Sequence, residues 1–496
     1  MKSNVVSVIN ADTYIYPTKD SFFRPSEDYP ELRKLNFGIS KTCNKVYNAV
    51  RESFYMLGLD KKNYGTEKWN PLGEIVKPGD SVLIKPNLVM DKNINKSGGT
   101  DCLFTQPGVV APVIDYLIIA LNGSGRIIVG DAPMQECVFS EILDKGYNAL
   151  ISFYKGKNVN IEIVDFRELT SYVKHGVHYT TLNENAKGKI IDLGRSSEFF
   201  TEKEEKLKKM RVTNYDPRIL TNHHNAEKQE YYVSQYVLDA DVIINMPKPK
   251  SHRKAGATIA LKNCVGINTR KEFLPHHTMG SKENGGDEYE KKSFIHEFRS
   301  KVLDSVNIAS AEMQYKKAKA LRLLARGLSL LLKIEKTPNS EGSWWGNDTI
   351  SRTIADLNKL VFYADKDGIL RNNKVRKMFI VADMIVSGEK EGPVAPSPKE
   401  VGMIAAGINP VSFDEAVSAV MGFDYEKLPS IVRSRNVQGQ YNIVENDERT
   451  YIISNDKRFD GNTPKVIDWS DSLQFEATSG WVHHIEKYNG PQKLDH

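Results

Sequence analysis

The stretch Asp241-Val-Ile-Ile-Asn-Met-Pro-Lys-Pro-Lys-Ser-His252 begins as a short apolar run and ends in a polar, proline-bearing turn. Two others share that plan: Ser81-Val-Leu-Ile84 leads into Lys85-Pro-Asn-Leu88, and Arg126-Ile-Ile-Val-Gly130 into Asp131-Ala-Pro133. Short apolar runs bounded by turn residues read as strands buried on both faces. Between them lie helical patterns. Lys45 to Leu57 places Val46, Ala49, Val50, Phe54 and Leu57 on one side, and Pro107 to Leu121 forms a second helix. Strand, crossover helix and strand in succession predict an α/β fold, with a mixed, largely parallel sheet and helices on both faces. Further strands are expected at the N-terminus (1–9), at Val159–Val164 and at Lys377–Ala382, with a helix from Ser412 to Met421.

With 496 residues, 40% hydrophobic and 26% charged, the chain is neither disordered nor too short for one large domain with insertions. Composition divides it into a discontinuous main domain (1–269 and 373–435), an insertion (270–372) and a C-terminal small-strand region (436–496). Residues from about 170 to 230 read as a peripheral hairpin and loop layer.

A net charge of +5 is too thin for the clustered basic face of a nucleic-acid binder, so no nucleic-acid partner is expected. Cys43, Cys102, Cys137 and Cys264 form no C-x-x-C pair, which argues against an iron–sulfur cluster or a closed zinc site and fits reduced thiols in a cytoplasm. The N-terminus lacks the apolar core of a signal peptide, and no apolar run approaches the roughly 18 residues of a membrane span.

In open α/β sheets, ligands collect outside the carboxyl ends of the strands. Pro247 and Pro249 hold the chain extended, so Lys248 and Lys250 project from one face with His252 after them, and the apolar turn Ala255–Leu261 brings Lys262 and Asn263 back to that place. Ammonium groups suit carboxylate or phosphate. The expectation is that Lys85, Asn87, Lys248, Lys250 and Asn263 hold an anionic substrate. His252 and Lys262 would act on it, with Asp131 and Glu391 as acid–base groups. A solvated basic loop is the bland alternative. Asp414 reads as first-turn capping of its helix.

His276-His277 and Gly285-Gly-Asp-Glu288 form a second constellation. His276, His277, Asp287 and Glu288 offer nitrogen and carboxylate ligands without thiolate, a set suited to a divalent metal with open positions; an ordinary loop is the alternative.

Lys316 to Lys336 reads as a basic amphipathic helix, with Leu321, Leu324, Leu328, Leu331 and Ile334 on one face and Trp344 and Trp345 nearby. Such a helix suits peripheral contact with the inner face of a membrane. Packing on the protein's own core, or on a second subunit to give a homodimer, is the competing expectation.

The run 241–252, together with Ala260-Leu-Lys-Asn-Cys-Val-Gly266, Lys85-Pro-Asn87, Gly388-Glu-Lys-Glu-Gly-Pro393 and Ala406-Gly-Ile-Asn-Pro-Val-Ser-Phe-Asp414, resembles the signature of domain-of-unknown-function family 362. The resemblance covers roughly 78–135 and 235–425. The family's chemistry is largely unassigned, so it implies no reaction. Some relatives carry ferredoxin-type clusters; this chain lacks those cysteines. Similar chains with the His-His and Gly-Gly-Asp-Glu insertion are associated with surface-polysaccharide genes, which implies a sugar or lipid-linked glycan precursor. A more distant similarity to nickel-dependent lactate racemases does not extend to their ligands one by one. The sequence thus points to a cytoplasmic enzyme acting on an anionic small molecule or glycan precursor, with a divalent metal, by acid–base chemistry or group transfer. Its rival is a non-catalytic, membrane-associated binding or scaffold protein.

Overall fold

Eight strands make the backbone of the fold. They are β1 (Val5–Asn10), β2 (Ser81–Pro86), β3 (Arg126–Asp131), β4 (Ile161–Asp165), β5 (Val242–Met246), β8 (Lys377–Glu389), β9 (Ser397–Gly407) and β10 (Tyr451–Ser454). Their order across the sheet is β10-β1-β9-β8-β5-β2-β3-β4. Neighbours are parallel except where β9 runs against both β8 and β1. The sheet is mixed and largely parallel, as the strand–helix alternation predicts. Two short strands, β6 (Lys250–His252) and β7 (Gly256–Thr258), form an antiparallel extension reached through the pairing of Lys250 with Gly388 on β8. The structure is a computed structural model that describes residues 2–18, 24–174, 177–334, 339–444 and 449–488.

Successive residues of each strand supply opposite faces of the sheet. Val82 and Ile84 of β2, Val242 and Ile244 of β5 and Phe379 of β8 meet α1 (Lys45–Met56) and α2 (Pro107–Leu121). Leu83, Ile128, Ile243 and Ile380 belong to the opposite core, with α6 (Thr349–Tyr363) and α7 (Pro410–Met421). The second helix, α2, has proline at its first turn and ends at Asn122 in the left-handed conformation, both ordinary helix punctuation.

The core crosses the boundaries that composition suggests. Ile354 and Leu357 of α6, from the expected insertion, share one cluster with Ile452, Phe475 and Trp481 of the tail, and β10 adds an edge strand to the main sheet. The remainder of the insertion includes a helical hairpin, α4 (Phe294–Ala311) and α5 (Tyr315–Ile334). Ala309 packs on Ala318, and Val302 and Leu303 on Ala325, so the helices run antiparallel. Of the expected apolar face, Leu321 and Leu328 are partly buried in this packing, whereas Leu324, Leu331 and Ile334 are exposed; residues 335 and 336 lie outside the described residues. Trp344 is buried and donates its indole N–H to the Asp287 carbonyl at 2.8 Å, so it is not available to a membrane. Among the described residues, no helix is long and apolar enough to cross a membrane.

Candidate functional site

At the carboxyl ends of β2, β3 and β5 the polar turns lock together. Lys85 Nζ lies 2.6 Å from Asp131 Oδ1, with both side chains almost fully buried. The second oxygen of Asp131 accepts the Leu88 N–H at 2.7 Å. Asn263 donates to the Lys85 carbonyl at 3.1 Å and to Asn245 Oδ1 at 2.8 Å, while its own Oδ1 accepts from Asn87 at 3.1 Å and from Lys85 at 3.3 Å. The single-turn helix α3 (Ala260–Asn263), which carries Lys262, is held by Asp414. That carboxyl accepts the Ala260 N–H at 2.8 Å and the Leu261 N–H at 3.1 Å. Asp414 therefore caps a different helix from its own; α7 is capped by Asn409.

This framework walls a cavity of about 180 Å³, into which Asn87, Asp131, His252, Lys254, Lys262, Lys271 and His276 face, with Glu136, Arg253, Val212–Tyr215 and Pro393–Val394 among the rest of the lining. Lys254 donates to Thr213 Oγ1 at 2.8 Å and Lys271 to the Ala132 carbonyl at 2.7 Å. Lys262 Nζ has no hydrogen-bond partner among the described residues. Burial pulls Lys254 and Lys271 down to about 7. Burial, with Lys85 beside it, pulls Lys262 down to about 8. Three amines near neutrality around one cavity form an anion site whose charge the ligand can complete.

The two histidines differ in tautomer. His252 Nδ1 accepts the backbone N–H groups of Lys254 and Ala255, both at 3.1 Å, so its proton resides on Nε2. His276 Nδ1 lies 2.7 Å from the Leu274 carbonyl, which can only accept, so Nδ1 is protonated and Nε2 keeps its lone pair. Burial, reinforced by the surrounding lysines, holds both rings well below the ordinary histidine range, and hence neutral. The cavity thus offers one ring as a donor and the other as an acceptor.

Several expected residues lie elsewhere. Lys248 and Lys250 do project to one side, but the loop before α2 fills that side. Lys248 is buried 2.9 Å from Asp383 and donates to the Tyr16 hydroxyl at 2.5 Å. Lys250 donates to Asn87 Oδ1 at 3.0 Å and to the Leu103 carbonyl. It supports Asn87 and does not itself line the cavity. Asp131 lines the cavity, but its oxygens are engaged by Lys85 and Leu88. Glu391 is exposed and accepts the Ser479 N–H at 2.9 Å, outside the cavity.

The expected metal set is divided. His276, which ends the turn before the short strand His277–Thr278, faces the main cavity, while His277 and Glu288 line a separate small one. Asp287 is fully occupied: it accepts the N–H groups of Thr278, Asp348 and Thr349 and the Thr349 hydroxyl, which anchors the start of α6. Glu288 accepts from the Ser300 hydroxyl and the Gly280 N–H, and burial pushes it up to about 7. Among the described residues, no group of three or more His, Cys, Asp or Glu side chains is placed to hold a metal ion.

Sequence reasoning missed Lys254, Lys271 and the Val212–Tyr215 wall. Lys254 continues the alternation Lys248, Lys250, His252 and was legible in principle. Lys271 and Thr213 enter from segments whose local pattern carries no such signal.

Fold and site together define a class: an α/β protein with a small cationic, histidine-bearing cavity at the carboxyl ends of parallel strands. The chain belongs to the family described as domain of unknown function (DUF362), which matches residues 82–419. It is also 28% identical over 195 residues to a thylakoid-associated protein of Synechocystis sp., an alignment that spans 39% of this chain and 41% of that protein. No solved structure matches the chain.

Proposed function

We propose that the protein is an enzyme that takes a small anionic molecule into the Lys/His cavity and moves a proton on it. The observation that carries this reading is the pair of neutral histidines in opposite tautomers beside the unpartnered Lys262. Lys262, with Lys254 and Lys271, would neutralise a carboxylate or phosphate. His276 Nε2 would accept a proton and His252 Nε2–H would donate one, without either ring first changing its charge. A phosphorylated sugar or other glycan precursor has the required charge. The bare Nε2 of His276 also leaves one nitrogen for a divalent cation arriving with such a substrate.

The test is to incubate the protein with phosphorylated and carboxylated metabolites in deuterated water, with and without added divalent cation. Deuterium entering one of them, lost in His276→Ala and strongly reduced in Lys262→Met, supports the reading. Equal exchange by both variants would sink it.

A second, non-catalytic reading rests on the α4–α5 hairpin. Residues 291–334 hold ten Lys or Arg against three Asp or Glu, a net +7 in a chain whose total is +5. Phe294, Phe298, Leu330, Leu331 and Ile334 are exposed at its open end, Phe294 by 82%. Basic charge beside exposed apolar side chains suits an anionic membrane surface. The thylakoid association of the Synechocystis relative is compatible with that. Flotation with anionic but not neutral vesicles, lost in a Phe294→Ser/Ile334→Ser variant, would favour it; no flotation with either would remove it.

A further inference from the structure

A second cavity, of about 340 Å³, opens beneath the α4–α5 hairpin, and Glu136, Asn214, Arg299, Arg322, Arg326 and Ser329 contribute to its walls. Glu136 and Asn214 also line the Lys/His cavity, so the two spaces share a wall. Arg299 is braced by a 2.8 Å hydrogen bond to Ser329 and lies 3.8 Å from Glu341; Arg322 donates to Asn214 Oδ1 at 3.4 Å. Three guanidinium groups around one space repel one another. Burial lowers Arg322 from its ordinary value, with Arg299 and Arg326 adding to that shift while Glu341 opposes it. Glu341, which lines the small cavity with His277 and Glu288, is coupled to cations of both spaces: although burial pushes its carboxyl up, Arg299, Lys254, Arg253 and Arg322 together hold it below its usual range. Around the two spaces Arg253, Lys254, Lys262, Lys271 and the three arginines outnumber Glu136, Glu341 and Asp131.

We propose that the arginine-lined space is a second anion subsite, and that both spaces together take one elongated molecule bearing two anionic groups, one over Lys262 and the other over Arg322 and Arg326. Guanidinium forks suit phosphate or phosphonate oxygens. The placement of the first group rests on the reading of the Lys/His cavity above. An anion tethered to another already bound meets its subsite at high effective concentration, so the right spacer binds far better than either end alone.

The test is isothermal titration of the full chain with methylphosphonate and with α,ω-alkane bisphosphonates of increasing length. Affinity should pass through a maximum at one spacer length and exceed that of methylphosphonate by about tenfold or more. Arg322→Gln and Arg326→Gln should each abolish that excess and leave methylphosphonate binding intact. Arg326 is exposed, so its replacement does not threaten the fold. Lys262→Met should weaken both ligand types. Affinity independent of spacer length, or an excess that survives both arginine substitutions, overturns the bipartite groove while a Lys262→Met loss leaves the Lys/His reading standing. Methylphosphonate binding that ignores Lys262→Met overturns that reading and the single-ligand proposal with it.

Discussion

Lys85 and Asp131 form a 2.6 Å ion pair between the ends of two adjacent parallel strands, with side-chain exposures of 1% and 4%. A buried pair contributes little over an apolar substitute, but breaking it leaves an uncompensated charge. Asp131→Asn should therefore destabilise the protein by about 3–5 kcal/mol, read as a lower urea midpoint at unchanged slope. A loss below about 1 kcal/mol would mean that the pair is solvated.

Gly266 lies against that pair. A β-carbon there would sit 1.9 Å from Asp131 Oδ1 and 2.7 Å from Lys85 Nζ. Gly266→Ala should cost much of what Asp131→Asn costs, and the two effects should add to less than their sum, because both act on one contact. Full additivity in a double-mutant cycle would place the strain elsewhere.

Anion binding should take up protons. Unliganded Lys254 and Lys271 titrate at about 7 and Lys262 at about 8. A bound anion favours the ammonium form and raises those values, so binding adds protons around neutral pH. Affinity should be greatest where all three amines are already charged, below about pH 6, and should fall as the pH rises through 7 and 8. Calorimetry of methanesulfonate binding, an anion whose own charge is constant over this range, in buffers of different ionisation enthalpy reads the uptake directly; proton release, or an affinity that rises with pH, would contradict the assignment.

Asp414 holds α3, and through it Lys262. Asp414→Ala strands two buried N–H groups and should cost about 2–6 kcal/mol, at about 1–3 kcal/mol for each. Asp414→Asn keeps one acceptor and should fall between that variant and the native chain. Thermal unfolding of the three checks the order, and equal stability of all three would show the cap to be idle.

The parallel strands of the main sheet were legible because each is a short apolar run between turn residues, and α2 could be read to its ends from Pro107 and Leu121; β9, which runs against both its neighbours, was not, because its first half is polar and its second runs straight into the Asn409 cap. The cavity was legible only where one segment carries several of its residues, as around His252 and Lys262. Lys248 and Lys250 stand in the same pattern, yet they are buried by Asp383 and by the loop before α2, neither of which local sequence relates to them. Glu391 stands in a promising acidic loop, but the chain turns its side chain to Ser479. His276 and His277 are adjacent in sequence, yet they face two different cavities. Asp287 looks like a ligand and instead anchors a helix that begins more than sixty residues later. Such long-range partners arise from packing, which no local pattern encodes.

Which nitrogen each histidine presents to the cavity is read most directly by side-chain nitrogen NMR of the native chain near pH 6.5, with His252→Gln and His276→Gln used to assign the signals. The predicted result is two neutral rings, His252 protonated on Nε2 and His276 on Nδ1. An imidazolium at either position, or the same tautomer at both, would contradict it.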